Sequence, residues 1–91
     1  MFHVLTSTYL KPTDVVDQTR PAHLDWLKGE VERGRLLLTG RLEDQTGGVL
    51  ITGDISTEDA EELMVADPYV LAGLVRYART GFNGGVRAPG L

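Results

Sequence analysis

Two short apolar runs, "RLLLTGRL" and "GGVLITGDI", meet at the turn-rich connection "EDQTG", and this arrangement limits the fold more than any other feature of the chain. Aliphatic and β-branched runs joined through turn formers read as an antiparallel hairpin. Neither run alternates apolar with polar residues. The triplets "LLL" and "VLI" are unbroken, which marks strands covered on both faces of a sheet. A chain of 91 residues has helices enough to cover one face, so a second copy of the chain is the expected cover for the other.

The remaining elements fall into place around that hairpin. "FHVLTSTY", rich in β-branched and aromatic residues, reads as a strand over residues 2 to 9, and "LKPTDVVDQT" as a polar loop. Pro21 is tolerated only in the first turn of a helix, so a helix begins beside it, with Asp17 or Thr19 as its cap. Leu24, Leu27 and Val31 follow on one helical face, and Gly34 ends the helix, with Arg33 in its last turn. "STEDAEELMVAD" opens with Ser56 and Asp59 three apart, a capping signature, and carries Ala60, Leu63 and Met64 as its apolar stripe. Pro68 stops that helix, and Asp67 is placed to cap a short turn beginning "PYVLAG". "LVRYARTGF" reads as the last strand, and residues 83 to 91 as a Gly/Pro-rich irregular tail of a single domain spanning 1–91. The order β-α-β-β-α-β predicts an α+β, ferredoxin-like fold: a four-stranded antiparallel sheet with two helices on one face.

Composition removes several function classes. There is no cysteine, hence no disulfide, thiol nucleophile or iron–sulfur ligand. A net charge of −4 without a basic run argues against nucleic-acid binding. The apolar stretch "LMVADPYVLAGLV" is interrupted by Asp67 and Pro68 and is too short to span a bilayer. The opening "FHVLTSTYL" is not a secretory signal, so a cytoplasmic protein is expected. Two separated histidines give no metal-ligand spacing, and no glycine pattern makes a phosphate loop, so neither metal nor cofactor is expected.

What remains is a small set of polar residues where apolar ones belong. His23 lies about 40° from Leu27 on an ideal helix, and Arg20 about 20° from it, so both sit on the face aimed at the sheet. His23 is either a satisfied histidine at the core's edge or a general acid/base. Arg20 is either a solvated helix-start side chain or an anion ligand beside a helix N-terminus. Asp67 caps the following helix, and another carboxylate oxygen of the same residue can reach an imidazole. His3 falls in phase with Leu5, Ser7 and Tyr9 as a sheet-face residue. Trp26, about 100° from Leu27, flanks the stripe and suits a subunit interface.

Taken together, "RPAHLDWL", "GRLLLTG" and "STEDAEELMVADPYVLAGLV" resemble the YciI-like (YCII-related) family, the likeness running from the first strand to about Phe82. That resemblance implies a ferredoxin-like fold paired through its sheet faces into a barrel-like dimer. It also implies a His–Asp pair in a cleft, and one relative removes chloride from a hydroxylated aromatic ring. By this resemblance His23 and Asp67 are the catalytic candidates, Arg20 is a substrate ligand and Tyr69 a pocket wall. Where relatives often carry proline after the glycine of the second strand, this chain has Arg41. The expected function is a cofactor-independent enzyme acting on a small anionic or phenolic molecule by proton transfer, tautomerisation or elimination. A non-catalytic small-molecule-binding dimer and an accessory interaction domain are the alternatives.

Overall fold

The computed structural model describes residues 1–91 as eight elements: β1 (Phe2–Tyr9), α1 (Thr13–Asp17), α2 (Arg20–Glu32), β2 (Leu36–Arg41), β3 (Gly47–Thr52), α3 (Thr57–Ala66), α4 (Pro68–Leu71) and β4 (Val75–Phe82). The four strands form one sheet in the order β2-β3-β1-β4, and every neighbouring pair is antiparallel. This is the strand order of the ferredoxin-like split βαβ arrangement. No helix is long and apolar enough to cross a membrane.

The alternation of side chains along each strand divides the sheet into two unlike faces. Leu5, Leu36 and Leu50 point to the helices and close a core with Leu27 of α2 and Ala60 and Leu63 of α3. Each of these leucines contributes about 1.5–3 kcal/mol on burial. A second cluster, Val16, Tyr69, Leu74 and Val75, fills the end of the sheet near α4. The opposite face carries Val4, Val49 and Ile51, with Leu38 and Phe82 67% and 46% exposed. Arg87 and Gly84, after β4, lie against the Phe2 ring at one end of that face, and nothing within the chain covers the part around Leu38.

Local chemistry explains the boundaries. Ser56 accepts a hydrogen bond from the Asp59 amide at 3.0 Å and so caps α3. Gly34 follows α2 with φ of 77°, the left-handed conformation that glycine adopts without a Cβ penalty. In the β2–β3 turn Gln45 takes φ of 61°, stabilised by Asp44 Oδ1, which accepts from the Thr46 amide at 3.0 Å and the Thr46 hydroxyl at 2.7 Å.

Three expectations need correction. Neither Asp17 nor Thr19 caps α2 through its side chain: Thr19 holds the N-cap position without a side-chain hydrogen bond, and Asp17 ends α1 and is taken by Arg41. The segment after β1 is not all loop: Thr13–Asp17 is the helix α1, because Val16 becomes fully buried against Tyr69, Leu74 and Val75 and that packing outweighs the polar composition. Nor is the apolar stripe of α2 wholly buried. Leu27 is buried but Leu24 and Val31 are 37% and 45% exposed, since α2 overhangs the edge strand β2. The other buried position of α2 is Glu30.

Glu30 is held by three guanidinium contacts. Arg35 donates to it through Nε at 2.7 Å and Nη2 at 3.0 Å, and Arg33 through Nη1 at 2.9 Å. The Arg35 hydrogen bonds, outweighing burial, hold the Glu30 carboxyl below the usual glutamate range. A depressed folded-state pKa contributes stability above the unfolded value of about 4.3, and this is lost as pH falls through the folded value. Glu30→Gln is therefore expected to cost about 2 kcal/mol at neutral pH, about 8–16 °C in melting temperature for a domain of this size. In thermal melts taken between pH 2 and 7, the variant should also show a flatter acid limb than the wild type.

Candidate functional site

Between α2 and the sheet lies a cavity of about 180 Å³. Its floor is built around one cross-strand row, with the Thr39–Leu50 pair beside it. Arg41 of β2 pairs with Gly48 of β3, Gly48 with Ser7 of β1, and Ser7 with Tyr77 of β4. The two middle members are small, which is why a hollow exists between two large side chains. Ser7 Oγ accepts from the Gly48 amide at 2.9 Å, which ties the floor together.

The helix wall carries the predicted residues. Arg20 and His23, one turn apart at the start of α2, both line the cavity, as does Tyr69 of α4. Asp67 is fully buried behind them. Pro68 at the first helical position sets the start of α4 and puts Asp67 at its N-cap, where Oδ1 accepts from the Tyr69 amide at 2.9 Å. The same oxygen lies 2.7 Å from His23 Nδ1, and Oδ2 accepts from the Tyr77 hydroxyl at 2.5 Å. A carboxylate only accepts, so Nδ1 carries a proton and donates it to Asp67. His23 Nε2 is then the ring nitrogen left without a protein partner. The imidazole is further fixed by stacking on Tyr69, with centroids 3.8 Å apart and planes within 11°. The cap and the imidazole contact coexist, as the sequence allows, but through the single oxygen Oδ1 rather than through different ones, because Oδ2 is taken by Tyr77.

Charge in the site is uneven. Arg20 and Arg41 are in the wall and no carboxylate is. Arg20 forms none of the chain's ion pairs, whereas Arg41 contacts Asp17 outside the cavity. Burial, reinforced by the Asp67 carboxylate, pushes the Tyr77 phenol far above its ordinary value, so Tyr77 serves as a permanent donor. Burial likewise raises the Tyr69 phenol, and Arg41 and Arg20 oppose that rise. No group of three or more His, Asp or Glu side chains is arranged to hold a metal ion.

His3, the other histidine, is apart from all this. It is fully buried in β1, with Nε2 donating to the Ile55 carbonyl at 3.1 Å and Nδ1 accepting from Arg79 Nη1 at 3.2 Å. It is a sheet-face residue, as its phase in the strand indicates. Trp26 is partly buried against the main core, its ring 6.3 Å from that of His23.

Sequence reasoning missed Ser7, Tyr9, Gly48 and Tyr77. The signal for Tyr77 was available: it is in phase with Val75, and a buried tyrosine hydroxyl needs a partner. Nothing local marks the small residues of the floor, whose importance comes from strand register.

Fold and site together define an α+β domain with a histidine–carboxylate pair beside a small cationic cavity. Residues 1–80 match the YCII-related domain, and the chain belongs to that family. A 24-residue sequence described as a 12 kDa protein of Mycolicibacterium smegmatis is 79% identical over its whole length, which covers 26% of this chain. The fold is shared with 5-chloro-2-hydroxyhydroquinone dehydrochlorinase of Burkholderia phenoliruptrix AC1100, solved in complex with 2,5-dihydroxybenzoquinone. That structure superposes with a TM-score of 0.75 at 21% identity, covering 93% of this chain and 96% of the other.

Proposed function

We propose that the chain is a cofactor-independent enzyme using His23 and Asp67 as an acid/base dyad on a small anionic or phenolic molecule. The observation that carries this reading is the 2.7 Å contact between His23 Nδ1 and Asp67 beside a cavity with two arginines in its wall and no carboxylate. Asp67 holds the tautomer and supports positive charge on the ring, so Nε2 can take up and return a proton. Arg20, at the start of α2, stabilises the oxyanion or enolate that proton removal leaves behind. Tyr69 keeps the imidazole plane fixed. Proton transfer between two ring positions, and loss of a proton together with a leaving group such as chloride, are both within the means of one dyad.

The size of the cavity supports a single ring as the ligand. An apolar cavity of about 150 Å³ holds benzene, and 180 Å³ leaves room for small substituents. The dehydrochlorinase of the same fold, bound to a dihydroxylated quinone, is consistent with this class. The test is a panel of single-ring hydroxy and chlorohydroxy aromatic compounds, followed by ring absorbance, with wild-type protein and His23→Asn in parallel. Turnover by the wild type alone supports the dyad. Binding without turnover makes the domain a small-molecule binder, and absence of both leaves an accessory interaction domain.

The proposed working unit is a cytoplasmic homodimer of this one domain, paired through the uncovered part of the sheet face. The exposed Leu38 and its half-buried strand neighbours Ile51 and Val4 form an apolar row across that face. Sedimentation of the wild type is expected to give twice the chain mass, and Ile51→Asp a folded monomer. A monomeric wild type at micromolar concentration would remove the dimer from this proposal.

A further inference from the structure

The floor of the cavity has two unlike ends, and only one is used by the proposed chemistry. Tyr77 stands at the β4 end and leads through Asp67 to His23. Arg41 stands at the β2 end, three strand spacings away, about 14 Å between backbones. Gly48 and Ser7 between them leave that space open. Arg41 is not a loose surface side chain. Its Nε donates to the Tyr9 hydroxyl at 2.9 Å, one of its terminal nitrogens contacts Asp17, and its side chain is only 21% exposed. A guanidinium has five N–H donors; Tyr9 and Asp17 engage two, the Tyr69 hydroxyl lies within reach of another, and donors still remain for a ligand in a cavity that Arg41 itself lines.

We infer that Arg41, held in place by Tyr9 and Asp17, is the residue that selects the ligand: it binds an acidic group at the end of the ring remote from His23. This rests on the small-molecule reading above and narrows its substrate class to single-ring acids bearing oxygens at two ends. One oxygen faces His23 and Arg20. The other, a carboxylate or an acidic phenolate, pairs with Arg41 in the planar geometry that guanidinium favours.

The test uses 4-hydroxybenzoate and its neutral isostere 4-hydroxybenzamide, with binding read from the fluorescence of Trp26, the single tryptophan. Wild-type protein is expected to bind the acid at least about tenfold more tightly than the amide, the scale of one charge-assisted contact. Arg41→Met, which keeps the aliphatic stem, should abolish that preference while moving the amide's affinity less than about twofold. Arg41→Lys should restore part of the preference, because charge returns without the planar fork. Retention of the full preference in Arg41→Met overturns the inference, as does equal loss of both ligands. If the wild type binds neither compound yet turns over chlorohydroxy aromatics, the inference falls and the enzyme reading stands. Absence of any binding and any turnover removes both.

Discussion

Replacing His23 with asparagine is expected to lower kcat by about 10²- to 10⁴-fold on whatever ring compound the wild type converts, the usual contribution of a positioned general acid or base. The fold should survive. Asp67 keeps its hydrogen bonds from the Tyr69 amide and the Tyr77 hydroxyl, and His23 itself is at the edge of the core rather than within it. A loss of about 1 kcal/mol, or about 4–8 °C in melting temperature, is the expected cost. Ligand binding should fall far less than turnover, because Arg20 and Arg41 are untouched. The decisive comparison is therefore kcat against KM. A drop in KM-type affinity with unchanged kcat would make His23 a binding residue and remove it from the chemistry.

Asp67→Ala has the largest expected effect on stability. One buried carboxylate accepts from a backbone amide, an imidazole and a phenol, and alanine leaves all three donors without a partner. Loss of the cap and of the charge-assisted bonds together should cost about 4 kcal/mol, about 15–30 °C in melting temperature. If that variant does not fold, Tyr77→Phe separates the contributions. It removes one donor, should cost about 1–2 kcal/mol, and should leave His23 with its proton on Nδ1. Nitrogen-15 chemical shifts of the two imidazoles report this directly. The wild type should show opposite tautomers, Nδ1–H at His23 and Nε2–H at His3, since one donates through Nδ1 and the other through Nε2. Finding the same tautomer at both sites would contradict the arrangement around Asp67.

Much of this site was legible in the chain, for identifiable reasons. Pro21 and Pro68 place helix starts to within a residue, and the side chains beside them, Arg20, His23 and Asp67, are therefore located on known turns. The unbroken triplets place Leu36 and Leu50 in the core and leave Leu38 and Ile51 on a part of the sheet the chain does not cover. What was not legible depends on long-range register. Asp67 and His23 are 44 positions apart, and only the packing of α4 on α2 brings them to 2.7 Å. The cavity floor depends on the coincidence of Arg41, Gly48, Ser7 and Tyr77 in one row across four strands, which no local pattern encodes. α1 was hidden for a related reason: Val16 is a good helix residue only once Tyr69 and Leu74 are beside it.

That cross-strand row also separates two tasks along the chain. The contacts that fix the imidazole come from α2, α4 and β4. The depth of the hollow is set by β1 and β3, where a methyl group at Gly48 would come within 3.0 Å of the Gly40 carbonyl and 3.4 Å of Ser7 Oγ. The charge at its far end is set by an edge strand, β2. If the proposed function holds, substitutions at the edge can change which molecules are admitted while the imidazole, its carboxylate and its phenol stay in register, so the fold separates what it takes in from what it does with it.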